Sequence, residues 1–372
     1  MKNILIAIRS IFKKGRHNVM KIVSLGIGLA VGLVLIAKVY FEQSYDDFYP
    51  DRDRVYQVWA KYQQNGGELK DYPQTSGGIA PTMQQQIPEI ETVTRYTSFG
   101  DWTFTMTDTK MKYSGRCIIA DSCFFDILPR PMLIGNAKEV LSTPMYVLIS
   151  SRIAKNIGGD VIGKNFTVDN SPGRTMTIGG VFEEVPENSH SRYDVIVSMA
   201  SAGRFMWEGS PTNMLGNDRY ISYVKLHKGV NPLALEEQVR TFVNSYFPPE
   251  EQQKVGLSID FSFHKLDNLH KELPQVKRMT WILSLLAFAL IFTAVMNYIL
   301  IVISSIVNRS KEVAVHKCYG ASENNIHGMM FGEALVHIVL SLILALLLIL
   351  AFRGTVEELL ATSLDSLLLS NG

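Results

Sequence analysis

Apolar residues gather into three long blocks, Ile22 to Phe41, Met279 to Asn308 and Gly328 to Phe352, and elsewhere alternate with polar residues over short stretches. Each block is about long enough to cross a hydrocarbon core of roughly 30 Å at about 1.5 Å per residue, which predicts three membrane-spanning helices. The second block, about 30 residues between Arg278 and Arg309, is longer than a bilayer needs and predicts a helix that continues as a stalk. Ahead of the first block, Ile4, Leu5, Ile8, Ile11 and Phe12 against Arg9, Lys13 and Lys14 form an amphipathic pattern suited to a membrane surface.

Between the first two blocks the chain has ordinary polarity, β-branched and aromatic alternations, and turn signals about every ten residues. Strands are predicted at Val55 to Tyr62, Thr92 to Tyr96, Lys112 to Ala120, Tyr146 to Ile149, Thr175 to Val181, Tyr193 to Ser198, Ile221 to Leu226 and Leu257 to His264. Helices are predicted at Ile79 to Gln86, Ser150 to Ile157, and Leu233 to Ser245 after the capping pair Asn231-Pro232. The fold class is therefore a membrane protein with three α-helical transmembrane segments and a large α+β extracytoplasmic domain inserted between helices 1 and 2.

Charge orients this arrangement. Lys2, Arg9, Lys13, Lys14, Arg16 and Lys21 precede the first block with no acid among them, and Glu42, Asp46 and Asp47 follow it, so the amino terminus is expected in the cytoplasm. The block continues into Lys38-Val39-Tyr40-Phe41 without a small-residue cleavage site, which favours an uncleaved anchor over a signal peptide. The expected divisions are a cytoplasmic amphipathic segment 1–21, helix 1 at 22–41, an extracytoplasmic core domain 42–275, stalk and helix 2 at 276–308, a cytoplasmic hairpin 309–327, helix 3 at 328–352 and an extracytoplasmic tail 353–372.

Composition narrows the function. The 36 Lys plus Arg are balanced by 35 Asp plus Glu with no long basic face, which argues against nucleic acid. The three cysteines are too few for a disulfide-stapled domain. Cys117 and Cys123 have two readings, a disulfide outside the cytoplasm or two small residues in or beside a strand, the second being preferred. Cys318 is expected as a reduced cytoplasmic thiol. Gly158 to Asn165 falls short of a phosphate-binding loop, because Asn165 stands where Ser or Thr would hold magnesium and Phe166-Thr167-Val168 reads as a strand. The eight histidines are scattered without zinc-site spacing, and no nucleophile elbow occurs, so no catalytic, cofactor-binding or metal residues are expected.

Three polar positions inside the apolar blocks stand out. Glu333 and His337 lie four residues apart on one face of the third block, where ionisable groups are costly, and should face the bundle or the inner interface. Either a proton or coupling role, or a solvated or hydrogen-bonded Glu333 near the boundary, accounts for them, the second being preferred. Asn297 in the second block reads as interhelical glue, and Gly28 and Gly32, with Gly26 nearby, make a Gly-x-x-x-Gly packing face.

The segment Arg309 to Ser322, Arg-Ser-Lys-Glu-Val-Ala-Val-His-Lys-Cys-Tyr-Gly-Ala-Ser, resembles the cytoplasmic loop of FtsX/MacB-type ABC transporter permeases. Four further stretches resemble the periplasmic core of MacB-type permeases in family order. They are Tyr45-Asp46-Asp47-Phe48 with Arg54-Val55-Tyr56, Asp121 to Asp126, Ile149 to Lys155, and Gly180 to His190. The residues themselves read mostly as fold features, with Asp121-Ser122 capping a short helix and Asn188-Ser189 in a turn.

The resemblance implies that the loop is a coupling element seated in a groove of an ATPase subunit, with Lys311, Glu312, Val315, Lys317, Tyr319, Gly320, Ala321 and Ser322 in or beside it. It further implies a non-enzymatic permease subunit in a bacterial inner membrane, with a periplasmic main domain and no cofactor of its own. The partners expected are an ABC-type ATPase, a second permease chain or a homodimer, and an envelope adaptor. Efflux or export of an envelope substrate by mechanotransmission is the implied activity. Family members have a further membrane helix after the third, whereas 353–372 is short, polar and leucine-rich, so a truncated or split permease is expected. The competing reading is a membrane-anchored sensor or ligand-binding protein, disfavoured because its cytoplasmic parts are too small for an output domain.

Overall fold

The computed structural model describes residues 18–169, 171–308, 315, 318, 319, 323–360 and 362–369. They fall into two units, one made of the two ends of the chain through Ser44 and from Lys271, the other of Tyr45–His270. Residues 1–17, with the amphipathic pattern, lie outside the described residues.

The inserted unit is built on one eleven-stranded sheet. Its strands are β1 (Val55–Gln64), β2 (Lys70–Tyr72), β3 (Ile90–Met106), β4 (Lys112–Ala120), β5 (Met132–Ile134), β6 (Tyr146–Ser150), β7 (Asn165–Val168), β8 (Ser171–Phe182), β9 (Val195–Ser198), β10 (Ile221–Leu226) and β11 (Leu257–Lys265). The order is β11-β1-β10-β3-β4-β9-β6-β8-β5, with β2 on β1 and β7 pairing both β3 and β8. Two pairs, β4 with β9 and β6 with β8, are parallel, and the antiparallel remainder makes the sheet mixed, as is common in large sheets.

Strand β3 runs far beyond the predicted Thr92–Tyr96. A register shift between Ser98 and Gly100, the glycine at φ +73°, lets its first half pair β10 and its second half β7. The predicted third helix is a 3₁₀ turn, Pro232–Leu235, followed by an α-helix, Glu236–Tyr246, because Asn231 caps the turn by accepting from Leu233 N–H.

Three apolar clusters fill the faces. One joins Phe104, Ile119, Val147, Phe166 and Met176. A second packs Ile79 and Met83 of the helix Ile79–Gln86 and Phe242 against Val58, Val93 and Phe261. The third gathers Tyr49, Tyr96, Phe124, Leu148, Phe182 and Tyr223. Cys117 is buried and free, and Cys123 is free with its thiol donating to the Val93 carbonyl at 3.1 Å, which settles the cysteine alternatives in favour of two unpaired residues. Asp121 does not cap the short helix Phe124–Ile127, where Cys123 holds the cap position without a side-chain bond. Its carboxylate instead accepts from the Arg95 N–H at 2.9 Å and pairs with the guanidinium at 3.2 Å. The backbone amide and the guanidinium of one arginine on the adjacent strand thus share this part-buried carboxylate.

The terminal unit holds three helices long and apolar enough to cross a membrane among the described residues: Asn18–Gln43, Pro274–Asn308 and Glu323–Ala351. The second, 35 residues without a break, is about 52 Å long at about 1.5 Å per residue. Beyond the third, Arg353–Leu360 and Leu364–Leu369 form short helices. Arg353 ties them together, 2.9 Å from Glu357 and 2.9 Å from Asp365. Lys38, near the end of the first helix, pairs with Glu42 at 2.8 Å and donates to Thr362 at 2.8 Å, so a buried ammonium is satisfied twice.

Candidate coupling region and the polar cluster of the membrane helices

Of the predicted coupling residues, Val315 and Tyr319 are described; Lys311, Glu312, Lys317, Gly320, Ala321 and Ser322 lie outside the described residues. Val315 and Cys318 are helical, and Tyr319 N–H donates to the Val315 carbonyl at 3.1 Å. Val315 is 54% and Tyr319 87% exposed. Among the described residues of this stretch, both side chains stand open to solvent.

The first long helix brings its glycines to both neighbours. A Cβ on Gly28 would lie 2.3 Å from Ala294 Cβ, and one on Gly32 would lie 2.5 Å from Ile291 Cγ1, so both glycines admit the second helix at close range. Gly26 faces the third helix, where its Cβ would meet Leu344 at 2.9 Å. Ser341 Oγ donates to the Ile22 carbonyl at 3.1 Å across the same seam.

Glu333 and His337 both face inward, 8% and 2% exposed. Together with Lys21 of the first helix and Tyr298 and Ser305 of the second they line a cavity of about 40 Å³. Tyr298 OH lies 3.4 Å from His337 Nδ1, and Lys21 Nζ donates to Asn18 Oδ1 at 3.4 Å. The arrangement gathers a cation, an acid, an imidazole and a phenol from three helices in one buried place, where each lowers the others' cost of leaving water. Asn297 stands apart, exposed on the surface of the second helix.

Lys21 and Tyr298 were not singled out from the sequence. Lys21 reads there as one more flanking charge, and Tyr298 as one aromatic in an apolar run. Sequence periodicity gives the face of a helix but not the register between helices, so the convergence had no linear signal.

In the inserted unit, no group of three or more His, Cys, Asp or Glu able to hold a metal occurs among the described residues. His264 stacks on Trp59 and His270 on Tyr45, which gives both rings structural positions.

An α+β domain inserted in sequence between the first two of three long apolar helices, among the described residues, is the architecture of a membrane protein with a large domain outside the bilayer. The profile of the MacB-like periplasmic core domain matches residues 20–242, and that of the FtsX-like permease C-terminal region matches residues 284–370. The chain belongs to the FtsX/MacB-like permease family, and is accordingly a permease component of the ABC transporter class. A crystal structure of a domain of a protein designated a permease, from Porphyromonas gingivalis, is 33% identical, with a TM-score of 0.54 over 58% of this chain and 91% of that one. The extracellular domain of the noncanonic ABC-type transporter YknZ from Gram-positive bacteria is 11% identical, with a TM-score of 0.39 over 55% of this chain and 98% of that one. The comparison with curated proteins gives no match.

Proposed function

We propose that this chain is the transmembrane subunit of an ABC-type complex in a bacterial inner membrane, and that it couples ATP hydrolysis by a separate ATPase subunit to movement of its periplasmic domain. The residues 309–327 form the docking hairpin, with Lys311, Glu312 and Lys317 supplying charge and Val315 and Tyr319 the apolar contact. The unbroken helix Pro274–Asn308 is the observation that carries this reading, because it begins four residues after the inserted unit ends and reaches Asn308, the residue before the proposed hairpin in sequence. A helix without a proline or glycine break transmits displacement along its axis instead of absorbing it in a hinge. The basic residues ahead of the first membrane helix support a cytoplasmic amino terminus. Export or efflux of an envelope substrate is the use to which such motion is put, with a second permease chain completing the complex.

Purification of the tagged chain from its native membrane in mild detergent, followed by mass spectrometry, tests this. A stoichiometric P-loop ATPase in the purified complex is the expected result. Repeated recovery of the chain alone would refute the assignment of the hairpin.

A further inference from the structure

The segment beyond the third long helix carries an amphipathic pattern that the coupling reading does not use. Phe352 N–H donates to the Leu348 carbonyl and Val356 N–H to the Phe352 carbonyl, each at 3.0 Å, so helical bonding runs on into Arg353–Leu360. Phe352, at the joint, and Val356, Leu359 and Leu360 recur at the spacing of one helical face. Phe352 is 60% and Leu359 80% exposed. Glu357 is half-buried and accepts from Arg353 Nε at 2.9 Å and from the Leu364 N–H at 2.8 Å. Two large apolar side chains are thus left open while a neighbouring carboxylate is turned inward.

Contacts between the long helices fix the depth of this segment. Ser341 donates to the Ile22 carbonyl and Leu344 meets Gly26, so the first and third helices run parallel with these residues level. About 16 residues further along each, at a rise of roughly 1.5 Å per residue, Lys38 stands level with Glu357 and Tyr40 with Leu359. The bond from Lys38 Nζ to Thr362 at 2.8 Å holds the segment near that height. The second helix runs antiparallel to the first, Ala294 against Gly28 and Ile291 against Gly32, which brings Trp281 to within about one turn of the same level. Tyr40 and Trp281 are both exposed there. An exposed tyrosine and tryptophan at one height, at the end of apolar spans, mark the boundary between hydrocarbon and headgroups.

The occupant of the open face follows from its surroundings. Leu346, Leu347 and Leu350 are exposed on the last turns of the third span and lead up to Phe352, so one open apolar surface continues from the span onto the short helix. A lipid surface accepts an apolar strip of this size, whereas a stable protein interface takes roughly 20–30 residues a side, more than a helix of 8 residues presents.

We propose that Arg353–Leu360 lies in the membrane interface as a lipid-contacting helix, with Phe352 and Leu359 set among the acyl chains beside the headgroups. The proposal takes the three long helices as membrane spans, and it stands or falls separately from the coupling hairpin.

Site-directed spin labelling of the full chain in phospholipid nanodiscs tests it. Cys123→Ser and Cys318→Ser leave only the buried Cys117, and Leu346→Cys, Phe352→Cys, Gly354→Cys, Glu358→Cys and Leu359→Cys, made singly, carry the nitroxide at exposed positions. Oxygen partitions into lipid and a nickel chelate into water, so the ratio of their collision rates reports the surroundings of each label. Leu346, on the third span, sets the lipid value. The ratio at Phe352 and Leu359 should be at least about threefold higher than at Gly354 and Glu358 on the opposite side of the helix. Equal ratios at these four positions, with a high ratio at Leu346, would place the helix in water and overturn the proposal alone. Low collision with both reagents at Leu359 would place it against protein and overturn it as well. A low ratio at Leu346 would overturn the span reading and the proposal with it.

Discussion

His190 Nδ1 lies 2.8 Å from Asp46 Oδ2, joining residues 144 positions apart. Asp46 is 1% exposed and sits at φ +61°, with its N–H donating to the Asn188 carbonyl at 2.9 Å. The same carboxylate accepts from Ser189 Oγ and His190 N–H, each at 3.2 Å. On the far side of the ring, Nε2 meets Tyr223 OH. With the carboxylate at Nδ1 and the phenol at Nε2, the tautomer protonated at Nδ1 satisfies both partners. The turn Asn188–Ser191 thus clamps the first residues of the inserted unit into its core.

Removing one side of this clamp leaves buried donors without an acceptor. Asp46→Ala should destabilise the inserted unit by about 2–4 kcal/mol, His190→Ala by a similar amount, and the double variant by clearly less than their sum. Denaturant unfolding followed by tryptophan fluorescence measures all three. A change under about 0.5 kcal/mol for Asp46→Ala would contradict the buried network.

The glycines of the first membrane helix make a steric prediction. Gly28→Leu and Gly32→Leu each push a side chain into the second helix and should cost about 1–3 kcal/mol of stability in detergent, seen as a lower thermal midpoint by size-exclusion fluorescence. Gly354→Ala, where a Cβ meets nothing within 4 Å, should leave the midpoint unchanged. An unshifted midpoint for Gly28→Leu would mean that the helices do not approach there.

Asp51 gives a pH dependence. Hydrogen bonds from Lys225 and Arg54 hold its carboxyl below its ordinary value of 3.8. A carboxyl lowered in the folded state contributes stability above that ordinary value and loses it as pH falls through the folded value. Asp51 is 38% exposed on its side chain, so solvent screening limits the effect to about 1 kcal/mol or less. Asp51→Asn should therefore be less stable than the parent at pH 7, and the two should converge below about pH 4. A constant difference between pH 7 and pH 3 in urea unfolding would show that the ion pair is not the cause.

Much of the fold was legible because its signals are local. The three apolar blocks, the alternation of β4 and β10, and the helix Ile79–Gln86 follow from periodicity that each segment carries alone. The three-residue strands β2 and β5 carry too few residues to show a period, and the second half of β3 is interrupted by the Gly100 bulge. Asp121 illustrates a different limit. It reads as a helix cap from its neighbours in sequence, but Arg95 on the adjacent strand takes its carboxylate. The polar cluster was legible only in part, as Glu333 with His337, whereas Lys21 and Tyr298 join that pair through packing between helices.

The coupling hairpin is tested most directly by charge reversal. The chain with Lys311→Glu and Glu312→Lys, expressed in its native membrane beside the parent, should insert to the same level and migrate as the same species in detergent, yet lose the ATPase subunit from its affinity-purified complex. Recovery of the ATPase in undiminished stoichiometry with the reversed hairpin would contradict the account.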